Sequence, residues 1–334
     1  MCPSHDGAKR GIMGCAIALQ APFIMGARCV HLRPKGFAMS NTTISKGGLS
    51  ATISSKGAEL TSLKLDGREY LWQADSAFWG KHAPVLFPIV GSLRGDEAES
   101  AQGTCRMPRH GLARINEHRV VEVAEDGSAV TFEFTSSPET LEAYPYEFKL
   151  NMTYAITGEA TLTQTFSVTN TDTADMPFSV GGHPAFNVPA PGAEDEAFDE
   201  YVIEFSEPWT CIAPTIAEGG LLTFDESTTP VENADVLPVS HELFANDAVM
   251  LTDVPGNTLT LRGTKSGRGV RVDFPDFKYI GIWSALGDAP FVALEPWTGH
   301  ATLTSEDDVF EHKRNVTVIA PGETRDFSFS MTVL

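Results

Sequence analysis

The chain has 334 residues, 42% of them hydrophobic and 20% charged, and a formal net charge of -20. This is the composition of a soluble globular protein with a sizeable core, and length alone allows two domains or one large all-β domain. So acidic a surface repels nucleic-acid phosphates and anionic membranes, so neither is an expected partner.

Residues 1–38 stand apart in composition. They hold five basic residues, one acid, and three of the five cysteines. The apolar run Gly11 to Ala27 follows Lys9-Arg10 and imitates a signal peptide, yet Gln20 and Pro22 interrupt it and no small-residue cleavage site follows. It is also short for a membrane span, which needs roughly 20 apolar residues. Ordered patterning begins at Met39, so residues 1–38 read as an upstream extension from a mis-assigned start, poorly ordered and free of catalytic groups. Cys105 and Cys211, the two remaining cysteines, form no disulfide framework, which favours a reducing compartment such as the cytoplasm.

From Leu49 onward strand follows strand. Leu49–Ile53 leads to Leu60–Leu65, and Asp66-Gly67 turns the chain into Arg68–Trp72. His118–Val123 and Val130–Phe134 flank Asp126-Gly127, and Phe148–Ile156 and Ala160–Val168 flank Thr157-Gly158. In the last of these Leu162, Gln164, Phe166 and Val168 share one face and Thr161, Thr163 and Thr165 the other, a period of two. Further runs are Tyr201–Phe205, Ala248–Leu251, Thr258–Arg262, Gly269–Phe274, Tyr279–Trp283, Asn315–Ile319 and Arg325–Leu334. Glu194–Glu200 reads as a solvated acidic loop. No stretch of 12 or more residues carries a capped helical stripe. The pattern predicts one all-β domain over residues 39–334, an antiparallel sandwich or barrel.

Nucleotide-binding glycine motifs, metal-binding His and Cys spacings and a nucleophile elbow are all absent, so no cofactor and no metal are expected. Four stretches carry candidate chemistry. In Gly181-Gly182-His183-Pro184-Ala185-Phe186, two glycines give the backbone unusual freedom and proline stiffens the exit, which positions one imidazole. That imidazole is either a turn histidine or a proton donor near neutral pH. In Phe291–Gly299, Glu295 ends an apolar run, where burial would raise its pKa towards that of a general base. In Met107–Arg114, Arg109 and Arg114 surround His110 as surface charges or as donors to a polar ligand. In Phe244–Ala248, Asp247 is either a turn residue or an acceptor for ligand hydroxyls. Trp79, Phe178, Phe186, Trp283, Phe291 and Trp297 lie near these stretches, most as core and one or two as a flat wall for a sugar. The expectation is that folding brings His183 and Glu295 to opposite sides of one small ligand.

These stretches, with His82–Gly91 before them, come in the order of the aldose 1-epimerase (galactose mutarotase) family, and the chain most resembles its LacX-like subgroup from about residue 45 onward. The resemblance implies a large antiparallel β-sandwich, the supersandwich, with the site in a groove on one face. It also implies that His183 is the catalytic acid and Glu295 the base, and that His110 and Asp247 bind sugar. The family's sugar-binding arginine falls in a segment that here reads Gly91-Ser92-Leu93-Arg94, so either Arg94 takes that role from a shifted position or the role is lost; Arg94, Arg114 and Trp297 are the further expected sugar-binding residues.

The implied activity is interconversion of α and β anomers of a free aldohexose by ring opening and reclosure, without a cofactor. The expected partner is a small-molecule sugar, with no nucleic acid or membrane, and the sequence is silent on oligomeric state. Three rival readings are a hexose-6-phosphate 1-epimerase with a cationic pocket from Arg94, Arg109 and Arg114, a non-catalytic carbohydrate-binding protein of the same fold, and a glycoside hydrolase using Asp247 with Glu295.

Overall fold

The computed structural model describes residues 40–334. The extension expected over residues 1–38 lies outside the described residues.

Period-two patterning builds the larger of two main sheets. It is nine-stranded and antiparallel, in the order Leu222–Pro238, Tyr201–Ile216, Thr258–Gly263, Gly269–Asp273, Thr324–Val333, Thr161–Asn170, Phe148–Ile156, Ala129–Thr135, Arg119–Val123. In Phe148–Ile156 and Thr161–Asn170 every second residue is buried. The alternate threonines form a polar outer face, where Thr131 bonds Thr153 and Thr161 bonds Thr332 through hydroxyls at 2.9 Å.

The smaller sheet runs Val249–Thr252, Tyr279–Trp283, Phe291–Trp297, Gly181–Gly182, Val85–Leu86, with Ala185–Asn187 also paired to Phe291–Trp297. Its strands are short, and two of them are interrupted by His183 and Pro184. Ile280, Ile282, Val292 and Leu294 from this sheet and Phe166, Phe329 and Met331 from the larger one belong to a single buried cluster. The molecule is therefore an antiparallel β-sandwich, as the alternation and turn signals predict. A four-stranded meander, Asn41 to Glu69, precedes both sheets. One short α-helix, Pro138–Ala143, starts at a Ser137 cap that accepts a hydrogen bond from the Thr140 N–H at 3.3 Å.

Two local expectations change. The strand Leu222–Pro238 is absent from the strands read in sequence because it is largely exposed on both faces at the edge of its sheet and so shows no alternation. The acidic run after Glu194 is not wholly solvated. Glu196 is buried and ties down the Gly263–Arg268 turn, accepting the N–H groups of Lys265 (2.7 Å) and Ser266 (2.8 Å).

The smaller sheet has two dissimilar faces. Even-numbered residues of Phe291–Trp297 enter the common core, whereas Phe291, Ala293, Glu295 and Trp297 point the other way. That outward face becomes the floor of a cavity.

Candidate active site

The strand Phe291–Trp297 is the middle of the floor. Its neighbour pairs Gly181 with Trp297 and Ala185 with Ala293, a register that puts His183 directly across from Glu295. The His183 Nε2 lies 3.2 Å from the Glu295 Oε2. The two groups are thus side by side, not on opposite sides of a ligand as expected, because their strands are adjacent in one sheet.

The two glycines before His183 also act differently from expectation. Neither takes a positive φ. Their role is close approach: a Cβ on Gly181 would lie 2.7 Å from the Trp297 ring, and one on Gly182 would lie 2.7 Å from the Phe329 ring. On the other side of the floor Gly281 faces Glu295, and a Cβ there would stand 2.5 Å from Trp297. Glycines on both flanks thus make room for one indole beside the carboxyl group.

Both members of the pair are buried, with His183 8% and Glu295 1% exposed. Burial lowers the His183 pKa to about 3, and the nearby Arg109 and Arg114 charges add to this. Burial raises the Glu295 pKa well above the carboxylate range; Arg109 pulls it back and Asp247 pushes it further up. Burial thus disfavours an isolated charge on either group, and at 3.2 Å the two titrate as one coupled pair.

His110 lies on a turn with φ +69, where its N–H donates to the Gly91 carbonyl (2.8 Å) and the Gly91 N–H donates to its Nδ1 (3.1 Å). Nδ1 is therefore an acceptor and the ring proton sits on Nε2. Burial holds this imidazole neutral, well below its usual pKa, with His183 and Arg109 reinforcing the effect. Asp247 follows the turn after Phe244; its Oδ1 accepts the Ala248 N–H at 2.8 Å, and its Oδ2 is 3.5 Å from the Arg109 guanidinium. Arg114 donates to the Arg109 carbonyl at 2.9 Å, while its Nε is buried without a partner among the described residues.

Together these groups line a cavity of about 720 Å³, closed in by Trp79, Trp283 and Trp297 and also lined by Lys81. His183, Glu295, His110, Asp247, Arg114 and Trp297 all line this one cavity. Trp79, Trp283 and Arg109 were visible in sequence without a definite place. Lys81 was missed, and nothing around it in the sequence marks it. Among the described residues no three His, Cys, Asp or Glu side chains gather as a metal site.

Arg94 is the exception. It does not line the cavity. Its Nη2 donates to the carbonyls of Leu303 (3.2 Å), Thr304 (3.3 Å) and Glu306 (3.1 Å), and its Nε pairs with Asp308 at 2.9 Å. A planar guanidinium suits this clamp, which ties Nε and Nη2 to the loop and holds the head group away from the cavity. Arg109 and Arg114 are the arginines that line the cavity. Arg94→Ala should lower the thermal midpoint by a few degrees, from loss of roughly 1–2 kcal/mol of half-exposed charge-assisted bonding. It should leave KM for the substrate within about twofold; a tenfold rise in KM would restore Arg94 to the sugar site.

Cys105 and Cys211 are free and buried. Among the described residues no helix is long and apolar enough to cross a membrane.

Comparison with known proteins identifies the family. The family model described as aldose 1-epimerase matches residues 40–328. The plasmid-encoded protein LacX of Lactococcus lactis subsp. lactis is 41% identical over 293 residues, which span 86% of this chain and 97% of that one. Among solved structures, a galactose mutarotase related enzyme from Lactobacillus acidophilus matches with a TM-score of 0.82 at 31% identity, covering 88% of this chain and 97% of its own. A galactose mutarotase-like protein from Lactobacillus casei matches with a TM-score of 0.80 at 30% identity, covering 88% and 100%. The chain therefore belongs to the aldose 1-epimerase family and is an isomerase acting on sugars.

Proposed function

We propose that the protein interconverts the α and β anomers of an aldohexose, with Glu295 as base and His183 as acid. The observation that carries this reading is the 3.2 Å contact between the two side chains on the cavity floor. The hydroxyl oxygen and the ring oxygen of a cyclic aldose are both bonded to C1, so adjacent groups reach them together and no group is needed across the ring.

Ring opening removes one proton and supplies another. The Glu295 carboxylate takes the C1 hydroxyl proton as the His183 imidazolium gives its Nε2 proton to the ring oxygen. The C1–ring-oxygen bond breaks, its electron pair staying on the ring oxygen, and C1 becomes an aldehyde carbon. Rotation about C1–C2 presents the other carbonyl face, and the reverse transfers close the ring. The pair begins as carboxylate with imidazolium and ends as carboxylic acid with imidazole, carrying one proton throughout. The Nε2 proton of His110 and the Asp247 carboxylate are suited to orient the sugar hydroxyls.

The sequence suggests the free hexose as substrate. The cavity lining favours a second reading, in which the hexose carries a phosphate away from C1. Lys81, Arg109 and Arg114 are three cations at one cavity of a chain with net charge -20. A hydrolase is disfavoured because its chemistry needs two carboxylates and leaves His183, the group in contact with Glu295, without a role. The test is polarimetry on freshly dissolved α-glucose, α-galactose and glucose 6-phosphate. Catalysed decay of optical rotation on at least one is expected; binding without acceleration would leave a carbohydrate-binding protein instead.

A further inference from the structure

A histidine that moves a proton through one ring nitrogen is ordinarily held in place by a hydrogen bond at the other. His183 lacks a well-formed restraint of that kind: Nε2 faces Glu295, while Nδ1 is buried with no hydrogen bond of good geometry among the described residues and only its own main chain nearby. Packing must then hold the ring. The flat face of the imidazole lies against Trp79, with ring centres 4.8 Å apart and planes 23° from parallel. The rings of Trp283 (5.6 Å, 81°) and His110 (5.9 Å, 85°) meet it nearly at right angles.

Trp79 is itself well anchored, although it sits in the loop between Trp72 and His82. Its carbonyl accepts the Trp72 indole N–H at 2.8 Å, and its own N–H donates to the Asp75 carbonyl at 2.9 Å. Both ends of the loop are tied to Ala185, two residues from His183: Trp72 N–H donates to the Ala185 carbonyl at 2.9 Å, and Ala185 N–H donates to the His82 carbonyl at 3.1 Å. Buried Glu59 then caps the loop's exit, accepting the His82 N–H (2.7 Å) and the Ala83 N–H (3.2 Å). Phe291 stacks behind the Trp79 indole at 5.8 Å.

We infer that Trp79 is a positioning residue for the reaction: its indole takes the place of the missing Nδ1 hydrogen bond, orients the imidazole towards Glu295 and stabilises the imidazolium through its π face. The inference rests on the acid–base reading of His183 and Glu295. The charged or titratable groups around the imidazole are Glu295, His110, Arg109, Arg114 and Glu59. The two arginines oppose an imidazolium, the carboxylates favour it, and neutral His110 does neither. An indole face attracts a cation without adding a competing proton acceptor.

The test compares Trp79→Leu and Trp79→Phe with the unmodified protein, using kcat and KM for whichever sugar is turned over. Trp79→Leu should lower kcat about tenfold, in line with the strength of a desolvated cation–π contact, with KM within about twofold. Trp79→Phe, which keeps a π face, should recover kcat to within about threefold of the unmodified protein. The inference is overturned by an unchanged kcat in Trp79→Leu, by a rise in KM at constant kcat (which would make Trp79 a wall for the sugar), or by equal losses in both variants. Absence of turnover in the unmodified protein would instead overturn the proposed function, so the two failures are distinct.

Discussion

Glu295→Gln should slow mutarotation by about 10²–10⁴-fold, the usual worth of one proton-transfer group, while melting no lower than the unmodified protein. The second half of this expectation follows from burial. Folding raises the Glu295 pKa well above the ordinary glutamate value of 4.5. Its contribution to stability is then complete below about pH 4.5, where the unfolded carboxyl is also protonated, and is lost as pH rises through the folded pKa. Each pH unit between the two values removes about 1.4 kcal/mol. Glutamine keeps the shape and the hydrogen-bonding capacity but has no proton to lose. The variant should therefore match the unmodified protein near pH 4.5 and become the more stable of the two as pH rises to 8. His183→Ala should lose activity to a similar degree and remain folded at 25 °C, but it opens space under Trp79 and strips Glu295 of its partner, so it melts lower. Polarimetric rates with thermal melts at pH 4.5, 6 and 8 check all of this. Near-normal rates in both variants, or a Glu295→Gln protein several degrees less stable at pH 8, would defeat the assignment.

What the sequence disclosed follows from which side chains are buried. Strands with one buried face, such as Thr161–Asn170, announce themselves by alternation. Leu222–Pro238, exposed on both faces, does not. The chemistry was visible for the same reason. A carboxyl group at the end of Phe291–Leu294 violates an apolar pattern, and such a violation in a buried strand marks a site. Register was not visible. Nothing in either segment states that Gly181 pairs with Trp297, and that pairing alone puts the histidine beside the carboxyl group and not across a ligand from it. The glycines were noticed for conformational freedom, but their use depends on the rings of Trp297 and Phe329, more than a hundred residues away. Arg94 shows the limit of positional analogy. The short turn Arg94–Asp96 carries its guanidinium towards the loop at 303–308, so Arg109 is left as the cation beside Asp247.

Glucose 6-phosphate should be turned over with kcat/KM at least about tenfold above that of glucose, since one or two charge-assisted hydrogen bonds to a phosphate contribute about 1.5–3 kcal/mol each. The donors are Lys81, Arg109 and Arg114 around the cavity. Arg109 is partly occupied by Asp247 at 3.5 Å, a separation loose enough for a phosphate oxygen to compete for the guanidinium. The buried Arg114 Nε has no partner among the described residues to give up. The preference should weaken as salt is raised from 20 to about 300 mM, because the Arg109 head group is half-exposed and screened. It should largely vanish in a Lys81→Ala/Arg109→Ala double variant whose rate on free glucose stays within a few-fold of normal. Since the phosphate sits away from C1, the cations act on KM more than on kcat, whereas losing Glu295 or His183 acts on kcat for both sugars alike. Equal kcat/KM for the two sugars, unmoved by salt and by the double variant, would mean that these cations serve the protein's own carboxylates and that the free hexose is the substrate.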